Sequence, residues 1–300
     1  MNLVHTISQL RRRWNAYRLQ RSHFYRGDAV SLADAVFIIG CGRSGTTLLR
    51  AMLERHPRLW SGPESAAFVE AIDPWILSWQ FGTDLGKTRA LLATSSTAVE
   101  FADRYFGECA RDAGKARWVE KTPSHVKCLP YLLTSFPNAR FIQMIRDGRD
   151  VACSLRHHPK AAIRRSGVVP LQLNNPISKC IDRWVYDTSA GLAYQGHPRV
   201  KQVRYEQLVG DSETVLRDVC LFIGEEFMPS MLTAATAGSS TISAEQERAP
   251  SNLESFEAVN AASIGRWKRD LTAEELNLCM RRGGPLLEAL GYTSTTRAAL

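Results

Sequence analysis

A glycine-rich segment near the start of the chain, FIIGCGRSGTT, contains the residue types that bind phosphate groups. An apolar run leads into Gly40, a second glycine follows at Gly45, and an apolar helical pattern begins after Thr47. Such a turn from a buried strand into a helix directs several N–H groups and the positive end of the helix dipole at one spot. Arg43 adds a planar cation, and Thr46 and Thr47 add hydroxyl donors. The segment therefore predicts a phosphate site.

The same segment lacks the lysine that nucleotide triphosphatases use. Their loops place Lys and then Ser or Thr after the second glycine, whereas Thr46 and Thr47 occupy these positions here. The sequence also shows no acidic residue at the end of a predicted strand, where a magnesium ligand of ATP would lie. Both differences argue against Mg·ATP hydrolysis. Two interpretations stay open: a site for another kind of phosphate, or an ordinary strand–helix turn.

A second segment, RFIQMIRDGRDVACSL at residues 140–155, offers another anion site. Arg146 follows an apolar strand pattern, at the carboxyl edge where open α/β sheets bind their ligands. Ser154 lies eight residues later on the following predicted helix. Together these side chains could hold a second phosphate, since charge-assisted Arg–phosphate bonds are strong. The alternative is a solvated ion-pair network of Arg146 with Asp147, Arg149 and Asp150.

Alternating strands and helices are predicted to position these residues. Strands are predicted over 36–39, 117–119, 141–145 and 200–205, and helices over 47–55, 124–134, 150–156, 177–188 and 212–222. Thr272 and Glu275 form a predicted capping box at the start of a further helix. Strands separated by helices predict an α/β fold with a central parallel β-sheet flanked by helices on both faces.

The chain is predicted to contain one domain, 31–300, after a basic N-terminal segment. Apolar residues at helical spacing predict an amphipathic helix over 1–25. Residues 1–30 contain six arginines and one aspartate, so +5 of the net charge of +8 lies there. The helix packs on its own domain or a partner subunit, as in a homodimer, or else lies on anionic lipid. Residues 234–258 lack periodicity and predict a lid-like or disordered loop.

Composition bounds the remaining possibilities. The chain has 300 residues, of which 44% are hydrophobic, enough for a large core. Its seven cysteines are scattered without a C-x-x-C pair, which indicates reduced thiols rather than disulfides or a zinc site. No apolar run spans a bilayer and no signal peptide is recognised, so we expect a cytoplasmic protein, at most peripheral to the membrane. The positive charge suits an anionic ligand, but no nucleic-acid fingerprint appears.

Taken together, the two phosphate motifs resemble the sulfotransferases that use 3′-phosphoadenosine 5′-phosphosulfate (PAPS). Within them, the chain is most similar to the tyrosylprotein sulfotransferases and their bacterial relatives, over roughly residues 35–292. GRSGTTLLRAMLERHP resembles their 5′-phosphosulfate loop, and IRDGRDVACS resembles their 3′-phosphate motif. The resemblance implies a P-loop-like nucleotide-binding fold and a PAPS-dependent enzyme that sulfates a hydroxyl acceptor.

The resemblance also assigns roles to individual residues. Glu64 in SGPES corresponds to the base, Lys121 in EKTP to a catalytic lysine, and Tyr205 in VRYEQLV to a nucleotide contact. Arg266 stands where the tyrosylprotein enzymes have Lys, and counting back from Val259 gives Ser251 as the catalytic serine. Arg43 is assigned to both catalysis and donor binding. The donor contacts implied by the family are Arg43, Ser44, Gly45, Thr46, Thr47, Arg146, Ser154, Tyr205 and Arg266.

No metal is implied by this chemistry. A transferring sulfuryl group carries less negative charge than a phosphoryl group, so Lys121 and Arg43 can neutralise the leaving oxygen directly. Glu64 could instead cap a helix after Ser65, and His125 is the competing base.

Two further functions and several acceptors stay open at this stage. The functions are a small-molecule kinase and a non-catalytic nucleotide-binding module at a membrane. The second is favoured if Glu64 and Lys121 do not meet Arg43 and Arg146 at one cavity. The acceptor is a glycan, a lipid, a small phenol or a peptidyl tyrosine. RHHPKAAIRR at 156–165 could attract an anionic acceptor, although a solvated loop is the default expectation.

Overall fold

The computed structural model describes residues 22–157, 160–164, 167–171, 174–233 and 263–292. Its centre is a five-stranded parallel sheet with the order β2-β3-β1-β4-β7. The strands are β1 Val36–Gly40, β2 Leu59–Ser61, β3 Arg117–Lys121, β4 Arg140–Ile145 and β7 Val200–Arg204. β5 Lys160–Arg164 and β6 Gly167–Leu171 form a separate antiparallel pair. The predicted parallel α/β sheet is confirmed.

Helices cover both faces of this sheet. In chain order they are α1 His23–Arg26, α2 Thr46–Glu54, α3 Pro74–Phe81, α4 Leu85–Thr94, α5 Ala98–Asp112, α6 Leu129–Ser135, α7 Gly148–Arg156, α8 Ile177–Leu192, α9 Tyr205–Gly210, α10 Ser212–Ile223, α11 Trp267–Asp270 and α12 Ala273–Ala289. Two 3₁₀ helices lie at Pro123–Cys128 and Pro229–Leu232. The capping box of Thr272 and Glu275 is confirmed at the start of α12. Within the described ranges, no helix is both long and apolar enough to span a membrane.

The two faces of the sheet have different cores, because neighbouring residues of a strand point to opposite sides. Phe37 faces an aromatic cluster, where its ring stacks on Phe141 at 5.0 Å and meets Trp118 edge-on at 5.5 Å. Its neighbour Ile38 faces an aliphatic cluster built mainly by α2, α9 and α10. Since both faces of the sheet are buried, the central strand β1 is apolar throughout, which explains why its sequence pattern was strong.

Parallel pairing brings the carboxyl ends of all five strands to one edge. Gly40 of β1 pairs with Met144 of β4, and Ile38 of β1 pairs with Lys121 of β3. A Cβ at Gly40, whose φ is 134°, would lie 2.6 Å from the carbonyl oxygen of Met144. Only glycine therefore lets the chain leave β1 beside β4.

The sequence missed part of the scaffold. β2 and the helical region α3–α5 were not predicted. The expected helix over 124–134 is wrong in its first half, where the 3₁₀ helix runs to Cys128 before α6 begins. Pro130 lacks the N–H that would continue an α-helical ladder across this junction.

Two predictions near basic segments also need correction. Within the stretch 156–165, residues 160–164 form strand β5 rather than a loop, and Arg156 ends α7 in an ion pair with Glu275. A helix over 1–25 does not continue through Ser22, whose backbone is extended before α1 begins. Residues 1–21 and 234–262 lie outside the described residues.

Candidate active site

The phosphate-type loop between β1 and α2 has the expected shape. Gly45 precedes α2 with a left-handed backbone (φ 89°), and this N-cap residue has no side chain that could cap the first N–H groups of the helix. A Cβ at Gly45 would lie 2.3 Å from the Tyr205 ring, so glycine is required there. Arg43 also has a positive φ, 73°, a conformation that costs energy for a non-glycine residue. The loop therefore presents the positive end of α2 to a ligand.

Arg43 and Ser154 meet across this loop. The Arg43 Nε donates to Ser154 Oγ at 2.9 Å, which joins the β1 loop to α7. Burial, together with the nearby charge of Arg146, lowers the pKa of Arg43 to about 10, although the Glu64 carboxylate partly opposes the shift. Two guanidinium groups are thus held close together, an arrangement that an anionic ligand would stabilise.

Arg146 is held rigidly just after β4. Its guanidinium donates to the carbonyl oxygens of Arg43 at 3.1 Å and Ser263 at 2.6 Å, and lies 4.2 Å from the centre of the Tyr205 ring. Behind it, the Trp184 indole N–H donates to the Arg146 carbonyl at 3.0 Å. The Arg146 Nε is buried and has no hydrogen-bond partner among the described residues.

The charged run after β4 is not a solvated network, which corrects one sequence interpretation. All four of its side chains are buried. Asp147 pairs with Arg149 at 2.7 Å and caps α7, whereas Asp150 accepts the N–H groups of Gly265 at 2.8 Å and Trp267 at 3.0 Å. Burial raises the pKa of Asp150, and these two N–H bonds oppose the rise. Asp150 thereby anchors the segment that begins at residue 263.

The segment that begins at residue 263 contains Arg266, a predicted contact of the PAPS donor, and it also holds Tyr205, another predicted contact. Arg266 lies immediately before α11 and pairs with Asp270 at 2.8 Å. It does not line the cavity, although its charge helps to lower the pKa of Arg43. The Tyr205 hydroxyl is 2.7 Å from Ser263 Oγ, so the tyrosine bridges this segment to the loop. Ser251 falls outside the described residues.

Lys121 and Glu64 form an ion pair at the carboxyl ends of β3 and β2. The Lys121 Nζ donates to Glu64 Oε1 at 2.8 Å and to Thr47 Oγ1 at 3.4 Å. Burial lowers the pKa of Lys121, and the Glu64 carboxylate limits the fall. The lysine side chain is wholly buried, whereas that of Glu64 is 37% exposed. An ammonium has three hydrogens, so these two bonds leave one hydrogen for another acceptor.

A buried network fixes the segment that contains Glu64. Glu120 Oε1 accepts from Ser65 at 2.7 Å and Thr122 at 2.6 Å, and Glu120 Oε2 accepts from His125 at 2.8 Å. Thr122 Oγ1 in turn accepts the N–H of Ala66, whose φ is 52°. Burial opposes ionisation of Glu120, yet these three donors hold the pKa of its carboxyl below the usual range. The buried Glu120 network therefore stabilises the strained turn after Glu64.

This network also separates the two candidate bases. His125 is fully buried, and its Nε2 accepts from the Phe68 N–H at 3.3 Å, which places the ring proton on Nδ1 facing Glu120. Both ring nitrogens are therefore occupied inside the protein. Glu64 faces the cavity instead, and no helix follows it until α3, so it caps none.

The sequence predicted no acidic residue at the end of a strand, and Glu120 of β3 shows that this expectation is wrong. It is the penultimate residue of β3, one residue beyond the predicted strand end. Its carboxylate bonds to the buried network and does not line the cavity.

One cavity of about 200 Å³ joins these groups. Glu64, Arg43, Arg146 and Tyr205 line it, and Lys121 reaches it through Glu64 and Thr47. The Ser44 Oγ beneath the loop is fully buried and has no hydrogen-bond partner in the described part of the chain. Glu64 therefore lines the same cavity as Arg43 and Arg146, and Lys121 contacts this cavity through two of its lining residues.

Sequence reasoning missed several residues of this site. Arg183 on α8 lines the cavity and packs closely against Gly42, where a Cβ would lie 3.3 Å from its Nη2. Asp187, fully buried one turn later, accepts from Arg183 at 3.3 Å. A charged residue next to the apolar Trp184 was the only signal in the sequence.

Comparison with known proteins decides the family. A family model described as "Sulfotransferase family" matches residues 35–229, about two thirds of the chain and most of the site. The chain belongs to the sulfotransferase family. It is therefore an enzyme of a sulfur-group transferase family, as the sequence motifs predicted.

Relatives of this sulfotransferase agree in sequence and fold. It is 27% identical over 273 residues to protein-tyrosine sulfotransferase 2 of Gallus gallus, covering 86% of this chain and 69% of the relative. The sulfotransferase domain of the Synechococcus PCC 7002 olefin synthase has a TM-score of 0.62 at 21% identity, covering 90% of this chain and 98% of that domain. Mouse sulfotransferase SULT7A1, solved with PAP, has a TM-score of 0.52 at 14% identity, covering 92% and 96%. The two structures show the shared fold.

Proposed function

We propose that this sulfotransferase moves a sulfuryl group from PAPS to a hydroxyl acceptor. The observation that carries the proposal is the convergence of Arg43, Arg146 and the Glu64–Lys121 pair on one cavity. The complex of the mouse enzyme with PAP supports a donor of this type. A non-catalytic nucleotide-binding module would not need a buried lysine paired with a half-exposed carboxylate.

The polar groups of the loop fit the 5′ end of such a donor. The start of α2, at Thr46 and Thr47 after the N-cap glycine, offers N–H groups and hydroxyls, and the buried Ser44 Oγ lacks a partner among the described residues. Arg43 and Gly45 complete this part of the site. These groups can hold a phosphosulfate without the lysine of a triphosphatase loop.

The groups around Arg146 fit the 3′ phosphate and the nucleoside. Its Nε is buried without a partner in the described residues, and Ser154 lies on α7 within reach of Arg43. We assign Arg146 and Ser154 to the 3′ phosphate, and Tyr205 and Arg266 to the nucleotide. Arg266 is now bound to Asp270, so binding would exchange this surface ion pair for the ligand.

The chemical step requires a base and a cation. Glu64 would take the proton of the acceptor hydroxyl as its oxygen attacks sulfur. Lys121 and Arg43 would stabilise the negative charge that develops on the leaving oxygen. The bond to Glu64 favours the charged form of Lys121 before reaction and opposes the effect of burial on the pKa of the lysine. Ser251 remains a proposed catalytic residue on the family pattern alone.

Calorimetry with adenosine 3′,5′-bisphosphate tests the donor assignment. We expect tight binding in the presence of a chelator, because protein groups supply both anion sites. ATP is the control ligand, because its phosphates are attached at the 5′ position and it has no 3′ phosphate. A strict metal requirement or a preference for ATP would contradict the proposal and favour a small-molecule kinase.

A transfer assay with ³⁵S-labelled donor tests the acceptor class. The panel contains a glycan, a lipid, a small phenol and a tyrosine peptide, the four classes that carry a suitable hydroxyl. The protein-tyrosine sulfotransferase named among the relatives supports a phenolic hydroxyl.

The N-terminal segment calls for a separate experiment. The Tyr25 hydroxyl accepts the N–H of Ile72 at 2.8 Å, and Arg26 donates to the Phe68 carbonyl at 3.3 Å, so α1 packs on the domain. We expect deletion of residues 1–21 to leave nucleotide binding unchanged. Sedimentation with anionic vesicles at low and high salt separates a lipid contact from packing or a homodimer. We propose a cytoplasmic location, since all seven cysteines lie in the described residues, are buried and form no disulfide there.

A further inference from the structure

A second cavity lies on the other side of Glu64. It measures about 240 Å³, is open on one side, and is walled by the Glu64–Asp73 segment and by α3. Glu64 lines both this cavity and the cavity of Arg43 and Arg146. A third cavity, about 150 Å³ beside Trp60, does not include Glu64. A hydroxyl group bound in the second cavity would therefore contact the Glu64 carboxylate, which lies between this cavity and the phosphate-type loop.

The walls of this second cavity, the acceptor cavity, have a definite chemistry. Its apolar floor contains Ile72, Ile76 and Leu77, and the neutral polar residues Ser65 and Gln80 also line it. Its rim has two exposed carboxylates, Glu70 and Asp73. Within the described residues, no Lys or Arg lines it. A ligand with an apolar body and a positive end would complement this surface, and a carboxylate would be repelled.

The acceptor cavity is also preorganised. Tyr25 binds the Ile72 N–H, and the network of Glu120 holds the backbone at Ala66 and Phe68. Asp73 caps α3 by accepting the N–H of Trp75 at 2.9 Å, which fixes one of the two rim carboxylates. A cavity of about 150 Å³ accommodates benzene, so 240 Å³ is large enough for a single substituted ring.

We propose that the acceptor cavity binds the acceptor, and that this acceptor is a small hydroxyl compound with an apolar body and a cationic group. The inference rests on the proposed function, because it takes Glu64 as the base. It differs from the expectation of an anionic acceptor drawn to residues 156–165. It also distinguishes this chain from any enzyme that selects acidic peptides.

The test compares three phenols that differ only in the end remote from the hydroxyl: tyramine, 4-ethylphenol and 3-(4-hydroxyphenyl)propionate. We expect kcat/KM for sulfate transfer to be roughly tenfold higher for tyramine than for the propionate, with ethylphenol between them. Equal rates, or a preference for the propionate, would overturn the inference.

Substitutions of residues that line the acceptor cavity test whether this cavity causes the preference for tyramine. Glu70→Gln should reduce the preference for tyramine by about twofold to fivefold, and Glu70→Lys should reverse it. Glu288→Gln is the matched control, since Glu288 is exposed on α12 and lines none of these cavities. Ala71→Phe should fill the acceptor cavity and raise the KM of all three phenols without changing nucleotide affinity.

The outcomes separate this inference from the proposed function. Failure to bind adenosine 3′,5′-bisphosphate would count against the proposed function itself. Normal nucleotide binding with transfer only to a glycan, lipid or acidic peptide would keep the proposed function and overturn the cationic acceptor. An unchanged KM in Ala71→Phe would overturn the placement of the acceptor in this cavity.

Discussion

The two cavities that meet at Glu64 are built in opposite ways. The cavity of the phosphate-type loop is lined by the cations Arg43, Arg146 and Arg183, held among buried groups. The acceptor cavity has an apolar floor and a rim of exposed carboxylates. The first arrangement suits a ligand with several negative charges, and the second suits a ligand with none. One half-exposed glutamate can therefore separate two ligands of unlike charge and still contact both.

The largest expected effect comes from removing Glu64, the proposed base between the two cavities. Glu64→Gln keeps the shape of the side chain and an oxygen that can accept from Lys121, but it cannot take a proton. We expect turnover to fall by about 10²–10⁴-fold, with nucleotide affinity nearly unchanged. Steady-state transfer rates and calorimetry with adenosine 3′,5′-bisphosphate measure the two quantities.

Two control variants accompany that experiment. Glu288→Gln makes the same chemical change on an exposed helix and should leave turnover unchanged. His125→Ala should lower stability, because it removes a donor to Glu120, while costing far less turnover in the folded enzyme. Near-normal turnover in Glu64→Gln together with an inactive but folded His125 variant would reverse the two roles.

The next effect should be confined to the cationic cavity. Arg146→Ala removes a charge-assisted contact worth about 1.5–3 kcal/mol, or roughly tenfold to a hundredfold in nucleotide affinity. The wild-type protein should prefer adenosine 3′,5′-bisphosphate over the 2′,5′ isomer, and the variant should bind both more equally. This ratio separates ligand binding from the structural bonds of Arg146 to Arg43 and Ser263. A wild-type protein that binds both isomers equally would remove Arg146 from the 3′ site.

The network beneath the acceptor cavity predicts a pH-dependent loss of stability. The folded-state pKa of Glu120 lies below its usual value, so its carboxylate stabilises the protein at neutral pH, and this contribution disappears as the pH falls through the folded-state pKa. Glu120→Gln should cost about 1–3 kcal/mol at pH 7, because one buried donor loses its acceptor. The difference from wild type should shrink in acid. Urea unfolding between about pH 3 and 7 measures it, and a constant difference would contradict the explanation.

The smallest effect concerns a single neutral hydroxyl. Ser154→Ala removes the acceptor of the 2.9 Å bond from Arg43 and one proposed phosphate contact. We expect nucleotide affinity to fall by about twofold to tenfold, the value of a typical hydrogen bond, with no change in the ranking of the three phenols. A changed ranking would show that the two cavities are coupled beyond Glu64.

Much of the cationic cavity could be predicted from local sequence. The strand–turn–helix pattern around Gly45 and the strand end at Arg146 each depend on contiguous residues, so both segments were located correctly. Arg183 could not be found in this way, because its place beside Gly42 results from the packing of α8 at the end of the sheet. The acceptor cavity was missed for the same reason, since its walls come from a segment without periodicity and a helix that was not predicted.

Local sequence alone predicted four of the five sheet strands, the helices between several of them, the phosphate-type loop and the family resemblance, because apolar periodicity and short motifs are local properties. Tertiary structure alone decided which charged groups share a cavity. It buried His125 against Glu120, turned Glu64 toward Lys121, and removed Asp147 and Asp150 from solvent. The physical reason is that the strength of a charge depends on its burial and on partners distant in the chain, which parallel pairing of β2, β3, β1 and β4 brings to one edge.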